Sequence, residues 1–180
     1  MKLTKPYKEC QPSHLTQGFH ENHKANDWGF KYGTFIVAPF NAKVLTIRKP
    51  DNVSELPEYL RGGCGIRIQN IEDPTVSMTI WHCNNFFPVQ EGDTVLQGQP
   101  IAIMANSGFV MANGKYVEID IRTIPPYPGT HAHISMGQEK GGVYTDLDYS
   151  KFIDWSIPIS YNWFDTTKII LKKALAFLQN

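Results

Sequence analysis

Short runs of apolar and β-branched residues, separated by turn residues, pattern this chain from about residue 30 to 125. "TFIVAPF" (34–40), "AKVLTIR" (42–48), "GIRIQNI" (65–71), "VSMTIWHC" (76–83), "TVLQGQPIAIMA" (94–105) and "KYVEIDIR" (115–122) are the predicted strands. "KPDN", "RGGCG", "EDPT", "QEGD" and "ANGK" break them. With no helical period through the middle, this rhythm predicts an antiparallel, mainly β domain. "IPPYPGT" (124–130) is predicted as a rigid loop, because its prolines supply no ladder donors. The period changes only at the end. In "FDTTKIILKKALAFLQN" (164–180), Asp165 suits an N-cap, and Ile169, Ile170, Ala174, Phe177 and Leu178 recur at helical spacing.

These elements suggest an irregular, polar lead-in over 1–18, a domain over 19–160 and a C-terminal helix over 161–180. Packing of that helix on the domain is favoured over docking to virion proteins or a membrane surface through 165–179. Lys and Arg together number 17, as do Asp and Glu, so the formal charge is zero. Nucleic acid as the main ligand is thereby disfavoured. No apolar run follows the N-terminal lysines as in an export signal, and no stretch approaches a membrane span. Cys10, Cys64 and Cys83 are odd in number and scattered, which predicts reduced thiols rather than a disulfide frame.

The chemistry concentrates in histidines. In "PGTHAHISM" (128–136), His131 and His133 stand two apart, so a strand presents both imidazoles on one face. In "HENHKANDWG" (20–29), His23 and Asp27 are separated by three residues, and both types suit a borderline ion such as Zn²⁺. A further ligand from the His-x-His strand completes three, leaving a position for water, as catalytic zinc sites do. Structural sites close with four ligands and often use cysteine, and no cysteine pair offers that here. Each pattern alone is weak. His82, near the end of a predicted strand, reads alone as a satisfied core residue, with a ligand or an acid/base group as alternatives.

Order and spacing together resemble the lysostaphin/LytM-type zinc metallopeptidases, which are peptidoglycan endopeptidases. The resemblance spans about 16–136 and rests as much on the intervening stretches as on the histidines. "YGTFIVAP" is similar to the family's Gly-Thr-Pro-Val-x-Ala-Pro segment. "VQEGDTVLQGQPIAIMANSG" is similar to its Val-x-x-Gly-x-x-Val-x-x-Gly-Gln-x-Ile-(Gly/Ala) signature. The resemblance implies a small antiparallel β domain with a groove holding one Zn²⁺ per chain. It implies His23, Asp27 and His133 as ligands, with His82 and His131 as the catalytic histidines flanking the metal-bound water. Zinc would bring that water's pKa from about 15.7 toward 7, and the two histidines would move protons to and from it. The implied substrate is a peptidoglycan peptide.

Departures are visible as well. "KAN" stands between His23 and Asp27 where the family commonly has glycine, and Asn41-Ala42 replaces a glycine. Trp81 precedes His82, and Cys83 follows where leucine is common. An insertion at about 109–130 replaces a short loop, which leaves substrate choice open. No implied ligand or catalytic histidine is lost, which favours an enzyme over a catalytically silent structural or binding module of the same fold. The lack of a visible export signal suggests a phage-type or virion-associated lysin, made in the cytoplasm and acting at the cell wall. His14 and His20 read as surface residues or supports, although Cys10 or His14 folding over the zinc is conceivable. Glu118 and Asp120 read as a solvated face, and Trp28 and Trp81 as core. Tyr127 is the better candidate for touching a peptide or sugar.

Overall fold

The computed structural model describes residues 1–49 and 62–160. The helix expected at 161–180, and docking through it, lie outside the described residues. A 3-10 turn at Pro12–His14 leads into β1 (Leu15–Gln17), β2 (Asn26–Gly29), β3 (Phe35–Val37), β4 (Ala42–Arg48), β5 (Cys64–Asn70) and β6 (Val76–Cys83). Then come β7 (Thr94–Val95), β8 (Pro100–Ile103), the hairpin β9 (Met111–Ala112) and β10 (Lys115–Tyr116), and the one-turn helix α1 (Ile119–Arg122). The chain closes with β11 (His131–Lys140) and β12 (Val143–Leu147).

The main sheet runs β1-β2-β11-β6-β5-β4-β7, with β12 paired to the far half of β11. All its pairs are antiparallel, as the strand rhythm predicts. Alternation decides its two faces. In β6, Val76, Met78 and Ile80 are buried while Ser77, Thr79 and Trp81 are only partly so. In β11, Ala132, Ile134 and Met136 point into the core, which leaves His131 and His133 on the opposite face. β3 and β8 pair separately, and their Ile36, Ile101 and Ala102 share that core with Ile66, Ile68 and Ile80.

Three expectations need correction. The single strand expected at 94–105 is two, β7 and β8, in different sheets. Gly98 at φ +81° makes the turn between them, its N–H bonded to the Ala38 carbonyl at 2.8 Å. The strand expected at 115–122 survives only as Lys115–Tyr116, after an Asn113-Gly114 turn with both φ values positive. The chain then coils into α1, and the coil carries Arg122 inside. Its guanidinium is buried and donates to the carbonyls of Val117 (2.8 Å) and Gly108. The lead-in is not wholly irregular either, since it holds the 3-10 turn and β1. Leu3, Tyr7 and Cys10 are core residues, Leu3 bridges Ile153, and Leu15–Gln17 forms the edge strand. Few of its residues are apolar, but they are large and land where the sheet edge is open.

The three cysteines are buried free thiols, as expected.

Candidate metal centre

Register brings the histidines and the aspartate together. Asp27 in β2 lies directly opposite His133 in β11, and Trp81 in β6 lies opposite His133 on its other side. Directly opposite residues of neighbouring strands share a face. Asp27, His133 and Trp81 therefore stand side by side, with His131 two residues along β11.

His82 reaches the same face through an irregularity. Cys64 pairs with Cys83 and Ile66 with Ile80, so two steps along β5 answer three along β6. The extra residue is a β-bulge, and His82 within it takes φ +61°. That left-handed conformation is uncommon for a side-chain-bearing residue. Regular alternation after Ile80 would send His82 into the core. The bulge sends Cys83 there instead, fully buried, and turns His82 toward the groove. His23 comes from the connection before β2, where His20 and His23 exchange backbone hydrogen bonds of 3.0 and 3.1 Å across a tight turn.

Three imidazoles are held by backbone carbonyls. Nδ1 of His82 contacts the Ser107 carbonyl at 2.7 Å, that of His131 the Gly129 carbonyl at 2.8 Å, and that of His23 the Gly18 carbonyl at 3.2 Å. A carbonyl only accepts, so each Nδ1 carries a proton and donates, which leaves each Nε2 to face the groove. Two of these Nε2 atoms, with Nδ1 of His133, converge on Asp27. His23 Nε2 lies 3.3 Å and His131 Nε2 3.9 Å from Asp27 Oδ2, and His133 Nδ1 lies 2.9 Å from Oδ1. The His82 and His131 rings stand 4.6 Å apart between centroids.

Electrostatics follow from this crowding. Burial pushes the Asp27 carboxyl up, but a hydrogen bond from His133 and the positive charge that His133, His131 and His23 carry when protonated outweigh it and hold it below the usual carboxylate value. Burial, reinforced by His131, pushes His82 down to about 3. Burial also lowers His131, although Asp27 beside it opposes the shift. The two are therefore neutral imidazoles at physiological pH.

The donor set fits a zinc ion. Oδ1 of Asp27 is buried and faces His133 Nδ1 at 2.9 Å, and Oδ2 faces His23 Nε2 and His131 Nε2. A buried carboxylate ringed by imidazole nitrogens is costly unless a cation, a proton or a metal ion, joins them. Zinc bonds of about 2.0–2.1 Å in a tetrahedron separate ligand atoms by about 3.3 Å, and His23 Nε2 and Asp27 Oδ2 are 3.3 Å apart. Among the described residues two triads qualify as metal-holding groups, His23–Asp27–His133 and His82–His131–His133, with ligand atoms mutually within 4.8 Å. The first holds the only carboxylate, and with it the charge a dication needs.

All five residues singled out from sequence line one groove of about 920 Å³. The remaining candidates lie elsewhere. His14 stacks near Phe30, Cys10 is buried in the core, and His20, Glu118 and Asp120 are exposed. Trp28 is core as expected, whereas Trp81 lines the groove. Tyr127 stacks on Tyr32 at 4.5 Å, outside the lining. Sequence reasoning missed Arg48, whose place depends on register, and Phe109 and Met111 of the insertion, which form part of the wall.

The model of peptidase family M23 matches residues 21–137, a span that includes all five. Among solved structures, LytU is similar at 22% identity and a TM-score of 0.53, covering 84% of this chain and 83% of that one. The catalytic domain of lysostaphin from Staphylococcus simulans is similar at 18% identity and a TM-score of 0.50, with 84% and 89% covered. A zinc-containing peptidase from Vibrio cholerae has 17% identity and a TM-score of 0.54 over 81% of this chain, which spans only 39% of that protein. No curated protein matches the sequence. At these identities the structural likeness speaks for the fold.

Proposed function

The chain belongs to peptidase family M23, and from that premise we propose that it is a zinc-dependent endopeptidase cutting peptide bonds of bacterial peptidoglycan. The observation that carries the proposal is the convergence of His23 Nε2, His131 Nε2 and His133 Nδ1 on the buried carboxylate of Asp27. His23 Nε2, Asp27 and His133 Nδ1 would hold the ion. Bound zinc would supply an acidified water and polarise the scissile carbonyl.

The chain's own residues do the rest. His82 and His131, each pinned at Nδ1 by a carbonyl, offer Nε2 as a proton acceptor. The proton taken there is returned to the leaving amine. Asp27 beside His131 favours its protonated form, which makes His131 the better acceptor of the two. The groove walls orient the peptide and thin the water around it.

The setting proposed with this activity is a phage-type or virion-associated lysin, made in the cytoplasm and acting at the bacterial cell wall. The test is release of new amino groups from purified peptidoglycan, with and without a chelator. Cleavage that the chelator abolishes, and that falls by about 10²–10⁴ in His82→Ala and His131→Ala, supports the reading. Firm zinc binding without cleavage of several wall types would replace it with a silent module of the same fold.

A further inference from the structure

The row that contains the metal centre continues across the sheet. Asp27 pairs with His133, and His133 with Trp81. Gly65 of β5 lies between Cys64 and Ile66, whose partners are Cys83 and Ile80, and so faces the Trp81–His82 bulge. Arg48 of β4 pairs with Gly65. Five neighbouring strands thus present Asp27, His133, Trp81, Gly65 and Arg48 in one line, and the side chains of Trp81 and Arg48 line the same groove as the histidines.

The local packing is built around the indole. A Cβ on Gly65 would stand 2.4 Å from Trp81 Cε3, and one on Gly62 would stand 2.5 Å from Cδ2. Both glycines leave room for the ring to lie flat against β5. The Arg48 guanidinium lies over that ring, 5.6 Å from its centroid. Such stacking fixes a planar cation by its face, while its N–H donors stay in the plane as a fork that matches a carboxylate. Among the described lining residues, Arg48 carries the one fixed positive charge and Asp27 the one carboxylate. Asp27 is committed to the histidines.

We propose that Arg48 and Trp81 form a subsite for a substrate carboxylate, at the end of the groove remote from the metal centre. The proposal rests on reading this groove as the peptide-cutting site. Along the row Trp81 stands one strand spacing and Arg48 three from His133, about 5 and about 14 Å, and the guanidinium lies between them, over the Trp81 ring. The cation is therefore roughly 10 Å from the centre, about three residues of extended peptide. A peptide lying along the row carries its acidic side chain or free carboxyl at that distance from the bond cut. The insertion, with Phe109 and Met111, walls the groove above this path.

The test is co-sedimentation of the metal-free full chain with purified peptidoglycan sacculi, either native or with their carboxyls converted to amides by carbodiimide and ammonia. The wild type is expected to bind native sacculi about tenfold more tightly, the worth of a charge-assisted hydrogen bond. Arg48→Gln removes that preference. Arg48→Lys keeps the stem and charge, protects the fold and retains part of it. Lys49→Gln makes the same charge change over the Phe87 ring, outside the groove, and leaves the preference intact. Equal binding of both sacculi by the wild type, a preference that survives in Arg48→Gln, or an equal loss in Lys49→Gln overturns the subsite. Hydrolysis by the zinc-loaded wild type is read separately. A preference that depends on Arg48, without hydrolysis, keeps the subsite and overturns the peptidase reading.

Discussion

Arg122 ties the insertion to the His82 side of the groove, and replacing it with methionine tests that tie. Its Nε donates to the Val117 carbonyl at 2.8 Å, and its Nη1 to the Gly108 carbonyl. Its own carbonyl accepts from Asn106 Nδ2 at 3.2 Å, and Asn106 also donates to Pro128 at 3.0 Å. Between Asn106 and Gly108 sits Ser107, whose carbonyl holds His82 Nδ1 and whose hydroxyl donates to the Cys83 carbonyl at 2.7 Å. Methionine keeps most of the stem volume but leaves two carbonyls without their charged donor. Hydrogen bonds from charged groups contribute about 1.5–3 kcal/mol each. The relief of no longer burying a guanidinium, one of whose nitrogens has no partner, offsets part of that loss. A net cost of about 3 kcal/mol remains, which for a chain of this length lowers Tm by roughly 6–12 °C. Thermal melting of the metal-free protein measures it, and hydrogen exchange across 106–123 places it. Turnover should fall while zinc content holds, because His82 loses its fixed partner and the three ligands do not. A Tm within 2 °C of the wild type (the margin of ~1 kcal/mol), with unchanged protection at Ser107, would refute the reasoning.

Two further predictions follow from the buried groups. His82 is held at about 3 in the folded protein against an ordinary value of 6.5. Between those values the unfolded chain binds the extra proton, so stability rises with pH across the window and is lost as pH falls from 6.5 toward 3. Metal-free His82→Asn should therefore lose less stability than the wild type between pH 7 and pH 4.5 in urea titrations, and equal losses would count against the burial argument. Gly65→Ala places a methyl 2.4 Å from the Trp81 ring and 2.9 Å from the Ile80 carbonyl. It should cost about 1–3 kcal/mol and shift tryptophan emission as the indole lifts off β5. An unchanged spectrum with unchanged stability would mean that the ring is not seated there.

What was legible in the sequence was what depends on period and local chemistry. β4 and β6 run over the predicted residues, because their apolar runs are bounded by strong breakers. His131 and His133 share a face because a period of two requires it. The antiparallel β class and the resemblance to the lysostaphin/LytM group agree with the fold and the family match. What was hidden depends on partners distant in the chain. The bulge that turns His82 outward is visible only in the register of β5 against β6. Arg122 draws 115–122 out of strand geometry through the carbonyl of Gly108, which a local pattern does not display. Trp81 reads as core because tryptophan usually is, and only Gly65 of the neighbouring strand and Gly62 before it make its seat in the groove floor.

The central claim is that one zinc is held by His23, Asp27 and His133, with His82 beside it rather than bound to it. Elemental analysis of zinc after loading and dialysis tests it directly in wild type, Asp27→Asn and His82→Ala. The account predicts one zinc per chain in the wild type and in His82→Ala, and none retained in Asp27→Asn. Zinc kept by Asp27→Asn and lost by His82→Ala would move the ion to the His82–His131–His133 triad and contradict it.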